Sequence, residues 1–100
     1  MNVLLVCSMG ASTANMCKKI EAAAKQEGMD ISATAVPMAM LKDKLDWAEV
    51  VLVGPQIRFM LDKVRAEAKD KPVDAIDMMA YGMMDGAKVL HQIKGMVEHG

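Results

Sequence analysis

Asn2-Val3-Leu4-Leu5-Val6-Cys7-Ser8-Met9-Gly10-Ala11-Ser12-Thr13-Ala14 changes character at Cys7. Residues 2–6 are nearly all apolar and rich in Val and Leu, as a strand buried on both faces requires. After Cys7 the side chains become small, and Gly10 frees the backbone for positive φ. Ser12 or Thr13 then offers an N-cap for a helix running to about Glu27, with Gly28 as its stop. Met16, Ile20 and Ala23 or Ala24 mark the buried stripe of that helix. A thiol at the end of a buried strand therefore faces a glycine-containing loop and a helix N-terminus.

The same alternation repeats along the chain. Residues 31–36, Val50–Val53 and residues 73–76 read as three more strands, the second closed by Gly54-Pro55 and the third introduced by Pro72. Between and after them, 38–45 predicts a short helix with Trp47 packed on it. Residues 57–69 repeat Ile57, Leu61, Val64 and Ala68 at helical spacing, with Arg58, Lys63, Arg65 and Lys69 on the wet side. Residues 85–98 repeat Leu90, Ile93 and Val97, and Asp85 suits the positive end of that helix. Solid apolar strands alternating with helices define an α/β domain, one parallel sheet covered on both faces. Right-handed crossovers leave few topologies, and the pattern predicts strand order 2-1-3-4, as in flavodoxins and low-molecular-weight phosphatases. That order reverses beside the first strand, so the crevice lies between the carboxyl ends of strands one and three, where Cys7 and Gly54-Pro55-Gln56 fall.

The site chemistry follows from this placement. Loop N–H groups curled toward one point form an anion nest, and the helix dipole adds roughly half a positive charge there. One arrangement favours the Cys7 thiolate and also cradles the oxygens of a phosphoryl group attached to it. Cys17 lies within the first helix, ten positions on, beside Met16 and near Ile20, and reads as packing. No Cys-x-x-Cys pairing is present, and two cysteines are too few for a zinc site or a disulfide framework.

The chain of 100 residues has 53% hydrophobic and 25% charged residues and a net charge of −1, the composition of one globular domain spanning 1–100. Without clustered Lys and Arg, nucleic-acid binding has no electrostatic basis. No apolar run approaches the roughly 20 residues of a membrane span, and the start lacks the basic region of a signal peptide, so a cytosolic protein is expected. Twelve methionines against three aromatic residues imply a core and helix surfaces packed with thioethers, with a Met-rich docking surface as the minority reading. His91 and His99 read as solvated, and Asp43, Asp46 and Glu49 lack metal-ligand spacing, so neither metal nor cofactor is expected.

Cys7-Ser8, Gly10 and Ser12-Thr13, then Gly54-Pro55-Gln56-Ile57, then Ile76-Asp77 leading to Tyr81-Gly82 and Asp85-Gly86, together resemble the IIB component of the lactose/cellobiose (including chitobiose) family of bacterial phosphotransferase systems. The resemblance covers essentially the whole chain. It implies a relay in which a phosphohistidine on a IIA protein donates to the IIB cysteine. The phosphocysteine then phosphorylates a sugar hydroxyl held by the membrane component IIC during uptake. By position, Cys7 is the nucleophile and Ser8, Met9, Gly10, Ala11, Ser12, Thr13 and Ala14 form the phosphate-binding loop. Met9 departs from the small residue preferred before Gly10 and is expected to point away from the phosphate. Pro55, Gln56, Asp77 and Tyr81 fall near the site without an assigned role. A monomer docking transiently at the inner face of the membrane is expected, and the sugar stays open among β-linked disaccharides.

Two other classes compete with this reading. A small cysteine-dependent phosphatase places an arginine six positions after its cysteine to clamp the phosphate in the transition state, with an acid such as Asp77 to assist. Here that position holds Thr13, and no arginine occurs between Cys7 and Ala14. A thiol redox carrier lacks its resolving cysteine, and a flavodoxin-like binding module lacks aromatic residues to stack on a flavin.

Overall fold

The computed structural model describes residues 1–7 and 11–99, with side chains over the same range except at Ala11, Ser12, Glu98 and His99. Four strands form one parallel sheet: β1 (Asn2–Cys7), β2 (Ser32–Pro37), β3 (Val50–Val53) and β4 (Val73–Ala75). Their order is β2-β1-β3-β4, as the alternation predicts. β1 is central. Cys7 stands opposite Pro37 of β2, and Val6 stands opposite Val53 of β3.

Strand alternation divides the core into two layers. Val3, Leu5, Val50 and Leu52 face α1 (Ala11–Gln26) and α5 (Gly86–His99), packing with Met16, Ile20, Ala24, Leu90 and Ile93. Leu4, Val6, Val51 and Val53 face the opposite way, toward Leu41 of α2 (Leu41–Leu45) and Val64 of α3 (Leu61–Ala68). Trp47 packs against this second layer just after α2. Both faces of β1 and β3 are covered, which explains their unbroken runs of Val and Leu.

The helix ends are set by local chemistry. Gly28, at φ +75, ends α1: its N–H reaches the Lys25 carbonyl at 3.1 Å, and the Met29 N–H reaches that of Ala24 at 2.8 Å. Asp85 Oδ1 accepts the Lys88 N–H at 3.1 Å, so Asp85 stands at the positive end of α5 as expected, but as its cap just outside the helix.

Three local expectations are corrected, and one element is added. α1 begins at Ala11, so Ser12 and Thr13 lie inside its first turn and are not caps. The helix expected from Ile57 begins at Leu61; Pro55–Met60 is a 3-10 segment in which Ile57 leaves helical geometry (φ −121, ψ 31), and its side chain is buried in the second layer. Val97 does not complete the α5 stripe and is 41% exposed. Glu27, just past the end of α1, pairs with Lys94, so α1 has ended before α5 reaches Val97 and nothing from α1 covers it. Finally, Met78–Gly82 forms a short helix, α4, that apolar spacing did not announce.

Candidate functional site

The carboxyl end of the sheet gathers most of the residues singled out in the sequence. Cys7 closes β1 and is 5% exposed, its Sγ 3.9 Å from the Val36 carbonyl oxygen. Ser8, Met9 and Gly10, the first part of the expected phosphate loop, lie outside the described residues. Ala11, Ser12, Thr13 and Ala14 form the first turn of α1, whose N–H groups have no acceptor within the helix. These are the groups an anion nest requires.

On the β3 side, Gly54 extends the pairing beyond the strand, its N–H donating to the Val6 carbonyl at 2.8 Å. Its backbone is ordinary (φ −62), so the need for glycine is one of space. A Cβ built there would lie 3.0 Å from Gln56 Oε1, 3.4 Å from the Val6 carbonyl oxygen and 3.6 Å from Cys7 Cβ. The space that a side chain at Gly54 would need is thus taken up by the Gln56 amide, the Val6 carbonyl and Cys7, a close approach that Gly54-Pro55-Gln56 announces only as a motif. Pro55 opens the 3-10 segment, where its missing N–H costs no hydrogen bond.

The β4 side contributes α4. Asp77 occupies the N-cap position of α4, but its side chain makes no cap hydrogen bond. Its N–H donates to Gln92 Oε1 at 3.1 Å, and its carbonyl accepts the Tyr81 N–H at 2.9 Å. Tyr81 reaches across to α1, its hydroxyl 3.0 Å from Thr13 Oγ1. Thr13 is 2% exposed, the one buried polar side chain among the described residues. No spacing rule links positions 68 residues apart, so sequence reading missed this contact.

Cys17 lies in the α1 layer and is 6% exposed. Burial pushes its thiol from 9.0 up to about 12, with the Glu21 carboxylate and Cys7 adding to the effect. It is a packed thiol, unlike Cys7 at its strand end. His91 is exposed, and the His99 side chain lies outside the described residues. Among the described residues no cluster of three His, Cys, Asp or Glu side chains could hold a metal, and no helix is long and apolar enough to cross a membrane.

A parallel α/β sheet of order 2-1-3-4, with a cysteine ending its central strand ahead of a helix, defines a flavodoxin-like class of fold with that cysteine at its topological switch point. Within that class, the family of lactose/cellobiose-specific IIB subunits of the phosphotransferase system matches residues 2–92. The oligo-beta-mannoside-specific EIIB component of Bacillus subtilis is 38% identical over 92 residues, covering 90% of this chain and 89% of the relative. The galactose-specific EIIB component of Lactococcus lactis subsp. cremoris is 37% identical over 95 residues, covering 88% of each chain. Among solved structures, the cellobiose-specific IIB component of Borrelia burgdorferi superposes with a TM-score of 0.79 at 33% identity, over 99% of this chain and 93% of its own. The lactose-specific IIB domain of Streptococcus pneumoniae reaches 0.85 at 17% identity over 95% of both chains, a likeness of fold. The chain belongs to the lactose/cellobiose IIB family. It is a phosphotransferase component of a sugar phosphotransferase system, whose IIB subunits work with IIA and IIC components.

Proposed function

We propose that Cys7 is the phosphorylated residue of this IIB subunit. Its thiolate attacks the phosphorus of a phosphohistidine on a IIA protein; the N–P bond breaks as the S–P bond forms, and the histidine leaves neutral after taking up a proton. A sugar hydroxyl held by the membrane component IIC then attacks the same phosphorus. The S–P bond breaks, an O–P bond forms, the hydroxyl proton is released and the thiolate returns. Ser8, Met9, Gly10, Ala11, Ser12, Thr13 and Ala14 hold the phosphoryl oxygens in between.

The observation that carries this reading is the position of Cys7, ending the central strand beside Gly54 and ahead of the N-terminus of α1, the end at which a helix favours an anion. Holding phosphate also requires that it not be lost to water. Without a guanidinium at Thr13 the charge spreading over the equatorial oxygens is poorly stabilised for water attack, so the phosphocysteine persists until an acceptor is presented.

The surface beside the site supports docking of both partners in turn. Phe59 is 81% exposed, Met78 62%, Met79 67% and Met83 68%, all in segments that follow the carboxyl ends of β3 and β4. Large apolar side chains left in water on one side of a small protein mark an interaction surface. The reading makes this a cytoplasmic monomer that visits the inner face of the membrane and serves a β-linked sugar, as the name of the oligo-beta-mannoside relative has it and that of the galactose relative does not. Intact-protein mass after incubation with the upstream phosphorylated carriers tests it. One phosphate is expected on the wild-type chain, none on Cys7→Ser and one on Cys17→Ser. Label lost from Cys17→Ser and kept by Cys7→Ser would reverse the roles.

A further inference from the structure

Resting on that reading, we infer that Tyr81 is a positioning residue for phosphoryl transfer, holding the first turn of α1 to α4 through the hydroxyl of Thr13. Three observations meet in this pair. Thr13 sits six positions after Cys7, inside the first turn of α1 and within the stretch proposed as the phosphate loop. Its side chain is almost wholly buried, so its hydroxyl has to be paired within the protein, and Tyr81 Oη at 3.0 Å does this. Tyr81 in turn belongs to the helix that carries Met78, Met79 and Met83 in water.

The link has a direction. Neighbouring Ala80 is buried in the α1–α5 layer, and the Tyr81 ring packs against that layer. The body of α4 is thereby seated, while its methionines remain available to a partner. A partner pressing on α4 acts on a helix whose Tyr81 hydroxyl is hydrogen-bonded to the first turn of α1 at Thr13. Losing that bond leaves the fold in place but lets the turn settle elsewhere, and a small misplacement of donors lowers the rate without weakening encounter with the partner. The effect belongs to the transfer step and leaves docking alone.

The test uses the full chain with phosphorylated IIA as donor. Transfer is followed at increasing IIA so that the saturating rate and the half-saturating concentration separate, and the phosphocysteine is observed by ³¹P NMR. Tyr81→Phe is expected to lower the saturating rate about tenfold, the effect of one hydrogen bond of ordinary strength, with the half-saturating concentration little changed. The ³¹P resonance should move. Thr13→Val should match it, the double variant should lose no more than either single change, and Thr13→Ser should restore the rate. A Tyr81→Phe chain with wild-type rate and resonance, or losses that multiply in the double variant, would overturn the inference while leaving Cys7 as carrier intact. Failure of the wild-type chain to take phosphate on Cys7 would overturn the carrier reading itself, and the inference with it.

Discussion

Cys7 and Cys17 are both buried thiols, yet they meet different physics. Cys7 ends a strand next to a glycine and a helix start, whereas Cys17 is enclosed by Met16, Ile20 and the sheet. A thiol held at about 12 stays protonated where the same thiol in the unfolded chain, near 9.0, has ionised. The unfolded state therefore binds fewer protons over that interval, and stability falls as pH rises from about 9 toward about 12, with no contribution at lower pH. Thermal melts of the wild type and Cys17→Ala across this range should show a shallower alkaline decline in the variant. At neutral pH the variant should be less stable by about 1 kcal/mol, the usual result of a small core truncation. Equal alkaline slopes would show that Cys17 is not held protonated by the fold.

At the scale of elements, the corner between α4 and α5 decides how the α1 layer closes. Met84 takes a left-handed backbone (φ 53), and the N–H groups of Met84 and Asp85 return to the carbonyls of Tyr81 and Ala80. Asp85 then caps α5, and Gly86 brings the start of α5 against α1. A Cβ at Gly86 would lie 2.4 Å from both the carbonyl carbon and the oxygen of Lys19. These are backbone atoms, which cannot swing aside as a side chain can. The Asp85-Gly86 motif, met first as part of a family resemblance, thus serves the fold by joining a helix cap to a close helix contact. Gly86→Ala should destabilise the protein by about 1–3 kcal/mol in denaturant unfolding, the cost of overpacking, outweighing the gain of alanine over glycine inside a helix. An unchanged midpoint would mean that α5 can move off α1 freely.

Over the whole molecule, the parallel order sends every strand's carboxyl end to one side, and the segments after β2, β3 and β4 leave Met40, Phe59, Met78, Met79 and Met83 exposed. Twelve methionines in the sequence could not be sorted in advance: Met16 is core, while these four face water. Because Phe59 and Met79 are mostly exposed in the free protein, Phe59→Asp and Met79→Asp should leave unfolding within about 0.5 kcal/mol of wild type. The concentration of phosphorylated IIA needed for half-maximal transfer should rise about tenfold as apolar burial on docking is lost. If that concentration stayed the same in both variants, the exposed patch would not be the docking face.

The amino-acid order alone determined the alternation of strands and helices, the burial of β1 and β3 on both faces, the stop at Gly28 and the place of Cys7 at a strand's end. Each follows from periodicity or from a residue's local backbone preference, and local rules act over a few positions. The boundaries that failed were those where a tertiary contact overrode the local signal. Ser12 and Thr13 look like caps, but the helix starts earlier and Thr13 spends its hydroxyl on Tyr81. Val97 has the right spacing, but α1 ends before it can be covered. Gly54 against Cys7, Gly86 against Lys19 and Tyr81 on Thr13 were decided only by the folded chain. Such contacts depend on the distance between backbones brought together from remote parts of the sequence, and no residue carries that distance in its own identity.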